Sequence, residues 1–221
     1  MYVRYYMTSS PLTIGPRKTI EEARQLLQNY NFRHLPVVDE SGCLLGMVTD
    51  RDLRSAYPSS VLKEDDRRHI LARIQETPVS SIMSSDNAVL NEFSTLDDAL
   101  LIFEKRSVGA LPVIDGNGKV VGIFSSNDLL KAWRSLFGLG EKGSALITIE
   151  MQSDVRFLSR LVALLEELDV PFTRLVRTDG SGREPAMLYL RINTYNIRAV
   201  RKVIEKAGFK VHQPEFDPEI S

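Results

Sequence analysis

Two pairs of residues in this sequence have the types and the spacing to bind a small molecule. Asp52 follows Thr49 by three positions, and Asp128 follows Ser125 at the same spacing. At a helix N-terminus, a hydroxyl and unpaired backbone N–H groups suit a phosphate, while a carboxylate one turn later can accept both hydroxyl hydrogens of a ribose. The same spacing also forms a capping box, which needs no ligand. For either pair alone, both interpretations are open.

The two pairs belong to an internal repeat, because residues 3–53 are written again at 79–129 with a constant displacement of 76 positions and no gap. A unit that recurs in this way buries its apolar face against its copy, so we predict a pseudo-symmetric pair. Recurrence of the hydroxyl and the aspartate also favours a ligand site over capping alone. The matching positions include Val3 and Val79, Met7 and Met83, Leu35-Pro36-Val37 and Leu111-Pro112-Val113, Gly46 and Gly122, and Asp52-Leu53 and Asp128-Leu129.

Each copy predicts the same order of elements. Thr19 begins an amphipathic helix, with Glu22 placed to complete a capping box, and Pro36 favours extended chain after that helix. The polar segment 54–78, with Pro58-Ser59-Ser60, indicates a helical connector rather than a regulatory loop. The expected elements are a helix from Thr19, strands at 37–39 and 44–49 and a helix from about Asp50, then a helix from Thr95, strands at 112–114 and 120–124 and a helix from Ser126.

The rest of the chain predicts a separate α+β domain. Glycines at 138, 140 and 143 mark a linker before it. The element order βαββαβ indicates a ferredoxin-like sandwich. The expected strands lie at 145–151, 172–177, 186–192 and 209–211, the helices at 155–168 and 197–207, and a turn at 178–182.

Composition excludes several classes of protein. The 221 residues carry a formal net charge of −1, which argues against sequence-independent binding of nucleic acid. One cysteine, Cys43, permits neither an internal disulfide nor a cysteine metal cluster, and His34, His69 and His212 have no metal-ligand spacing. No apolar run reaches membrane-spanning length, and no cleavable signal or catalytic motif is present. We therefore expect a cytoplasmic, non-enzymatic protein without a metal or a membrane partner.

One pattern occurs twice in residues 1–135: Leu-Pro-Val-(Val/Ile)-Asp, then Gly, then Gly with two apolar residues, a hydroxyl residue and Asp-Leu. By this pattern, residues 1–135 resemble a tandem pair of cystathionine-β-synthase (CBS) domains. The resemblance implies a pseudo-two-fold disc with two clefts for adenosine-containing ligands such as AMP, ADP, ATP or S-adenosylmethionine. It implies that Thr49, Asp52, Ser125 and Asp128 contact ribose and phosphate. It adds residues around the base and phosphate in each copy: Phe32, Arg33 and His34, and Val108, Gly109 and Ala110.

The same resemblance implies that the two clefts differ. Arg33 and His34 can donate to a phosphate from their side chains, whereas Gly109 and Ala110 can do so only through the backbone, so the clefts should bind anions unequally. Family geometry would place Asp128 with Arg33 and His34, and Asp52 with Gly109 and Ala110. Two alternatives are open: Arg51 could be a surface ion-pair residue or a phosphate contact, and His34 could be a partly buried structural histidine.

The C-terminal part resembles an ACT domain, mainly in its element order, and the whole arrangement resembles the acetoin-utilisation (AcuB) family of regulatory proteins. ACT domains often bind amino acids at a turn with the pattern Asp-x-Pro-Gly, but this chain has neither proline nor glycine at 152–156, so we expect dimerisation or partner docking in preference to amino-acid binding. We therefore expect a homodimeric nucleotide sensor that acts on a protein of unknown identity, or alternatively a ligand-free structural adaptor. The predicted divisions are a first CBS domain at 1–60, a helical connector at 61–78, a second CBS domain at 79–137, a linker at 138–143, an ACT-like domain at 144–213 and a tail at 214–221.

Overall fold

The computed structural model describes residues 1–58, 61, 63–181 and 185–212. Ser59 and Ser60 of the predicted connector, Gly182 of the predicted turn and the predicted tail at 214–221 lie outside these residues. The chain forms two compact units, Met1–Ala132 and Trp133–Ser221. In the described part of the chain, no helix combines the length and the apolar character needed to cross a bilayer.

The first repeat has the predicted elements. Thr19 caps α1 by accepting from the Glu22 N–H at 3.2 Å, and the Glu22 carboxylate accepts from the Thr19 N–H at 2.8 Å, which completes the capping box. The first strand of the hairpin begins before Pro36, earlier than predicted. The elements are a 3-10 turn at Val3–Tyr5, β1 (Thr8–Ser9), α1 (Ile20–Tyr30), β2 (His34–Val38), β3 (Leu44–Thr49), α2 (Asp50–Ala56) and the connector helix α3 (Glu64–Glu76).

The second repeat reproduces the 3-10 turn, the first helix and both hairpin strands of the first at the offset of 76 positions. Its elements are a 3-10 turn at Val79–Ser81, β4 (Leu90–Asn91), α4 (Leu96–Arg106), β5 (Ala110–Ile114), β6 (Val120–Ser125) and α5 (Ser126–Leu136). The helix α5 is longer than α2, and β4 does not correspond to β1. The strands β1, β6, β5 and β4 form a sheet in that order, and β2 pairs with β3. The border between the two compact units falls within α5, ahead of the predicted linker at 138–143.

The repeats are joined by two crossing segments, residues 7–9 and 83–84. In the first, Thr8 of β1 pairs with Ile123 of β6. In the second, the Met47 N–H donates to the Ser84 carbonyl and the Ser84 N–H donates to the Met47 carbonyl, each at 2.9 Å. Each repeat therefore supplies a short stretch of chain to the hairpin of the other.

The repeated glycines are explained by these crossing segments. A Cβ on Gly46 would lie 2.7 Å from both the Met83 Sδ and the Ser84 carbonyl oxygen, and a Cβ on Gly122 would collide with the Met7 Sδ. A larger residue at either position would force the crossing segment or its side chain to shift, so glycine suits both positions. The Met and Gly positions that recur in the sequence thus lie against each other: Met83 against Gly46, and Met7 against Gly122.

Matching positions of the two repeats also form matching cores. A cluster in the first repeat includes Val79 from the start of the second, so the core itself crosses the boundary between copies. The Phe103 and Phe124 rings of the second repeat stack with centroids 6.2 Å apart. The buried pairs are Val3 and Val79, Ala23 and Ala99, Leu35 and Leu111, Val37 and Val113, Val48 and Phe124, and Leu53 and Leu129.

The second unit has the predicted element order βαββαβ. Its four-stranded antiparallel sheet has the strand order β10-β7-β9-β8. The side chains at its centre include Ile147, Leu161, Leu190 and Ile204, none of which is exposed. The elements are β7 (Ser144–Glu150), α6 (Phe157–Glu167), β8 (Phe172–Thr178), β9 (Met187–Asn193), α7 (Ile197–Lys206) and β10 (Lys210–His212).

Candidate functional site

The Thr49–Asp52 pair sits where β3 ends and α2 begins. The Thr49 backbone N–H and hydroxyl donate to Oδ2 of Asp52 at 2.8 and 2.6 Å, and the Asp52 N–H donates to the Thr49 hydroxyl oxygen at 3.2 Å. The capping box considered from the sequence is therefore formed. Among the described residues, Oδ1 of Asp52 has no hydrogen-bond partner, so the capping role leaves half of this carboxylate available.

The Ser125–Asp128 pair has the same local geometry but a different outer environment. The Ser125 backbone N–H and hydroxyl donate to Oδ2 of Asp128 at 3.0 and 2.6 Å. Oδ1 accepts from the Lys131 ammonium at 2.9 Å, and Asp128 is only 6% exposed. Burial opposes ionisation, but the Ser125 hydrogen bond and the Lys131 charge outweigh it, so the pKa of Asp128 lies below its usual value. Both oxygens of this carboxylate have partners within the chain.

Residues of both repeats line a cavity of about 570 Å³. Thr49 and Asp52 contribute from the first repeat, and Val108, Gly109 and Ala110 from the second. Its volume lies within the range of pockets that bind small molecules. The structure therefore brings one predicted hydroxyl–aspartate pair together with one predicted base-lining segment.

Arg33 and His34 also line this cavity. The family geometry placed them beside Asp128, but Ser125 and Asp128 are not among the residues that line it, and neither is Phe32. Phe32 is 47% exposed, and its ring stacks on Tyr30 with centroids 6.0 Å apart.

Four arginines line the same cavity: Arg33, Arg51, Arg54 and Arg106. Arg54 pairs with Asp50 at 2.6 Å, and Arg106 pairs with Asp86 at 3.2 Å. In the described part of the chain, Arg33 and Arg51 pair with no carboxylate, so the surface ion pair considered for Arg51 is not formed. Sequence reasoning missed Arg54 and Arg106, since they lie on different repeats and come together only in space.

His34 begins β2 opposite Thr49 and lies against the second repeat. A Cβ on Gly109 would lie 3.1 Å from the His34 ring, so a larger residue at position 109 would press on the imidazole. Burial lowers the pKa of His34 below its usual 6.5, the Arg33 charge lowers it further, and Asp52 partly offsets both. The imidazole is therefore neutral at pH 7 and can offer a phosphate one N–H but no charge.

Comparison with known proteins identifies the class of the first unit. The CBS domain family model matches residues 3–59 and 79–135, which are the two repeats. The chain belongs to this family and carries the tandem pair that the sequence predicts.

Relatives of several sizes share the pair. The chain is 36% identical over 128 residues to a CBS domain-containing protein of Dictyostelium discoideum, a match that covers 58% of this chain and 88% of the relative. It is 34% identical over 151 residues to the CBS domain-containing protein YhcV of Bacillus subtilis, covering 68% of this chain and 96% of YhcV. The inosine-5'-monophosphate dehydrogenase of Aquifex aeolicus is 32% identical over 167 residues, 72% of this chain, which span only 30% of the enzyme.

Two solved structures are similar over the pair. The CBS domain pair of protein MJ0100, solved with 5'-methylthioadenosine and S-adenosyl-L-methionine, is 27% identical with a TM-score of 0.51, covering 61% of this chain and 97% of that one. A candidate acetoin utilization protein (AcuB) from Vibrio cholerae is also 27% identical, with a TM-score of 0.53 and coverage of 64% and 96%.

Proposed function

We propose that this protein is a non-enzymatic regulator whose CBS pair binds an adenosine-containing molecule in the cavity between the repeats. One observation carries the proposal: Asp52 lines the cavity with a carboxylate oxygen that has no partner among the described residues. A carboxylate in this state can accept from a ribose hydroxyl without losing its capping bonds. The MJ0100 pair supports an adenosine ligand, since both molecules bound to it contain adenosine.

The remaining contacts follow from the family resemblance and from the lining of the cavity. Thr49 and Asp52 would hold the ribose, and the backbone of 108–110 would lie along the base. Arg33 and His34 would face the phosphate, where a guanidinium can donate two parallel hydrogen bonds. Binding would stabilise one arrangement of the two repeats over another, which is the requirement for a regulatory switch.

The second predicted site, Ser125 with Asp128, is proposed to be the weaker of the two. A ribose hydroxyl there would have to displace Lys131 from Asp128, whose oxygens are both already engaged. The unequal clefts predicted from the sequence would then follow from this ion pair as well as from Arg33 and His34.

We propose an ACT-type, ferredoxin-like fold for the second unit, supported by its element order and by the strand order β10-β7-β9-β8. Its role would be homodimerisation or docking of the regulated protein. The likeness to AcuB of Vibrio cholerae supports a place in acetoin utilisation. We propose a cytoplasmic location without a membrane partner, and the net charge of −1 argues against a nucleic-acid partner.

The second candidate function is a structural adaptor with no ligand. The capping boxes favour it, because Thr49–Asp52 and Ser125–Asp128 both form without one. The two functions differ in their response to nucleotides, because a ligand that binds only the folded state raises the melting temperature further as its concentration increases.

Calorimetric titration with AMP, ADP, ATP and S-adenosylmethionine tests the proposal. We expect at least one of them to bind, and Asp52→Ala to weaken that binding by roughly tenfold or more through loss of charge-assisted hydrogen bonds. Asp98→Ala is the matched control, since Asp98 forms the same capping box with Thr95 on α4 and does not line the cavity.

Both substitutions should lower the free energy of unfolding by about 1 kcal/mol, the usual value of a cap. Only Asp52→Ala should change the affinity. If no nucleotide gives heat or shifts the melting temperature at millimolar concentration, the adaptor function is correct instead.

A further inference from the structure

The four arginines of the cavity have no cationic counterpart at the equivalent positions of the other repeat. A displacement of 76 positions replaces Arg33 by Gly109, Arg51 by Asn127, Arg54 by Leu130 and Arg106 by Tyr30. The repeats share their hairpin strands, the starts of the helices on either side of the hairpin and their core at this offset, so the fold does not require a cation at any of these places. Asp50 and Asp86, which also line the cavity, are replaced at the same offset by Ser126 and Ser10, so four arginines less two aspartates leave this side two charges more positive than the equivalent positions of the other.

The charges remain available to a ligand. Arg33 and Arg51 are exposed and have no carboxylate partner among the described residues. In the pair of Arg54 with Asp50, the side chains are 76% and 41% exposed, and in the pair of Arg106 with Asp86 they are 48% and 84% exposed. Exposed ion pairs of this kind contribute little, so both arginines can turn to a more highly charged partner at small cost.

We infer that the cavity selects nucleoside polyphosphates over nucleoside monophosphates and over S-adenosylmethionine. This inference rests on the adenosine site proposed above and names the class of ligand for it. The capping bonds and the ribose use Thr49 and Asp52, which leaves the guanidinium groups of the four arginines for a phosphate chain. Each added phosphate group brings further negative charge and acceptor oxygens to these guanidinium groups.

Where a nucleotide has its negative phosphate groups, S-adenosylmethionine has positive charge. Beyond the ribose it carries a sulfonium, an ammonium and one carboxylate group, a net positive charge, where this cavity has four arginines together with Asp50, Asp52 and Asp86. Like charges at close range repel, so the positive groups would oppose the binding that the adenosine part gains. The MJ0100 pair binds S-adenosyl-L-methionine, and on this chemistry the present cavity differs from it in ligand class.

Titration calorimetry at fixed ionic strength and with EDTA tests the inference on the full chain. The ligands are adenosine, AMP, ADP, ATP, S-adenosylmethionine and inorganic tripolyphosphate. We expect ATP to bind roughly tenfold or more tightly than AMP, with S-adenosylmethionine weaker than either.

The variants Arg51→Asn, which places the second repeat's residue in the first, and Arg33→Gln should each weaken ATP by about tenfold and leave adenosine unchanged. Arg198→Asn on α7, outside the lining of the cavity, should change no affinity.

The possible outcomes separate this inference from the proposed function. Equal affinities for AMP and ATP would overturn the inference and leave the adenosine site standing. Loss of adenosine binding in Arg51→Asn and Arg33→Gln would also overturn it, because the arginines would then act on the whole site. If tripolyphosphate binds and none of the nucleotides does, both the inference and the proposed function are overturned, because the cavity would then be an anion site with no place for a nucleoside.

Discussion

Asp52 and Asp128 occupy the same position of the repeat, yet their carboxylates have different partners. Lys131 reaches Asp128 from one turn further along α5. The equivalent residue in the first repeat is Ser55, whose hydroxyl donates to the Arg51 carbonyl at 2.9 Å. One residue type therefore decides whether the outer oxygen of the aspartate is engaged within the chain or open to the cavity.

The pKa of His34 makes a prediction about stability. Because burial lowers that pKa below 6.5, the unfolded chain takes up a proton first as the pH falls. The neutral imidazole contributes fully above about pH 6.5, and its contribution is lost as the pH drops through 6.5 towards the folded-state pKa. We therefore expect His34→Gln to reduce the loss of stability between pH 7 and pH 5, measured by urea denaturation.

The control for this prediction is His69→Gln, on the exposed part of α3. The carboxylates with lowered pKa values, such as Asp128, lose most of their stabilisation below about pH 5, so they contribute little to the change between pH 7 and pH 5. A His34→Gln variant with the same pH slope as the unchanged chain would contradict the assignment of His34 as a buried neutral group.

At the scale of elements, sequence predicted what depends on local signals. The capping box at Thr19, the helix from Thr95, the repeated hairpins and the βαββαβ order were all predicted from local residue patterns, periodicity and turns. The two-residue strands β1 and β4 were missed, because each has meaning only through a partner far along the chain. The strands β2 and β5 begin before their prolines for the same reason, since pairing with β3 and β6 decides where they start.

The residues of the candidate site differ in the same way: those with a local signal were found, and those that depend on distant partners were missed. Thr49 and Asp52 were found because a repeated pattern marks them, and Gly109 was found through the family resemblance. Arg106 was not, since nothing in its own surroundings on α4 points to a cavity that also contains residues of the first repeat. The partner of Asp128 on α5 lies three residues away, but that spacing alone does not distinguish an ion pair from a solvent-exposed lysine.

Glycine substitutions test the contact between hairpin and crossing segment. We expect Gly46→Ala to destabilise the chain by about 1–3 kcal/mol, since the new Cβ would meet the Ser84 backbone carbonyl, which cannot move without breaking its pairing. Gly122→Ala should cost less, because the Met7 side chain that it meets is flexible.

Thermal denaturation of these variants checks the order. Gly15→Ala is the matched control, because a Cβ there has no atom within 4 Å, and it should be close to neutral. If Gly122→Ala proves as damaging as Gly46→Ala, the difference between a backbone and a side-chain obstacle does not govern the cost.

At the scale of the whole molecule, the crossing segments imply that neither repeat is stable by itself. The core of the first repeat includes Val79, and its hairpin pairs with Ser84, both from the second. We expect the fragments 1–78 and 79–132 to show no cooperative melting by circular dichroism when separate, and a cooperative transition when mixed. The intact chain provides the reference, and a sharp transition from fragment 1–78 alone would refute the dependence.

The constant offset between the repeats also bears on how such a protein can change over evolutionary time. Because α1 and α4, β2 and β5, and β3 and β6 keep the same lengths and the same offset, a side chain on one of them can be exchanged for its counterpart without altering any loop. The side chains of one repeat can therefore change while the other repeat keeps its own and the fold of both stays the same. Sensors with a different number of occupied places, or with a different ligand in each, are separated by a handful of point substitutions and by no change in architecture.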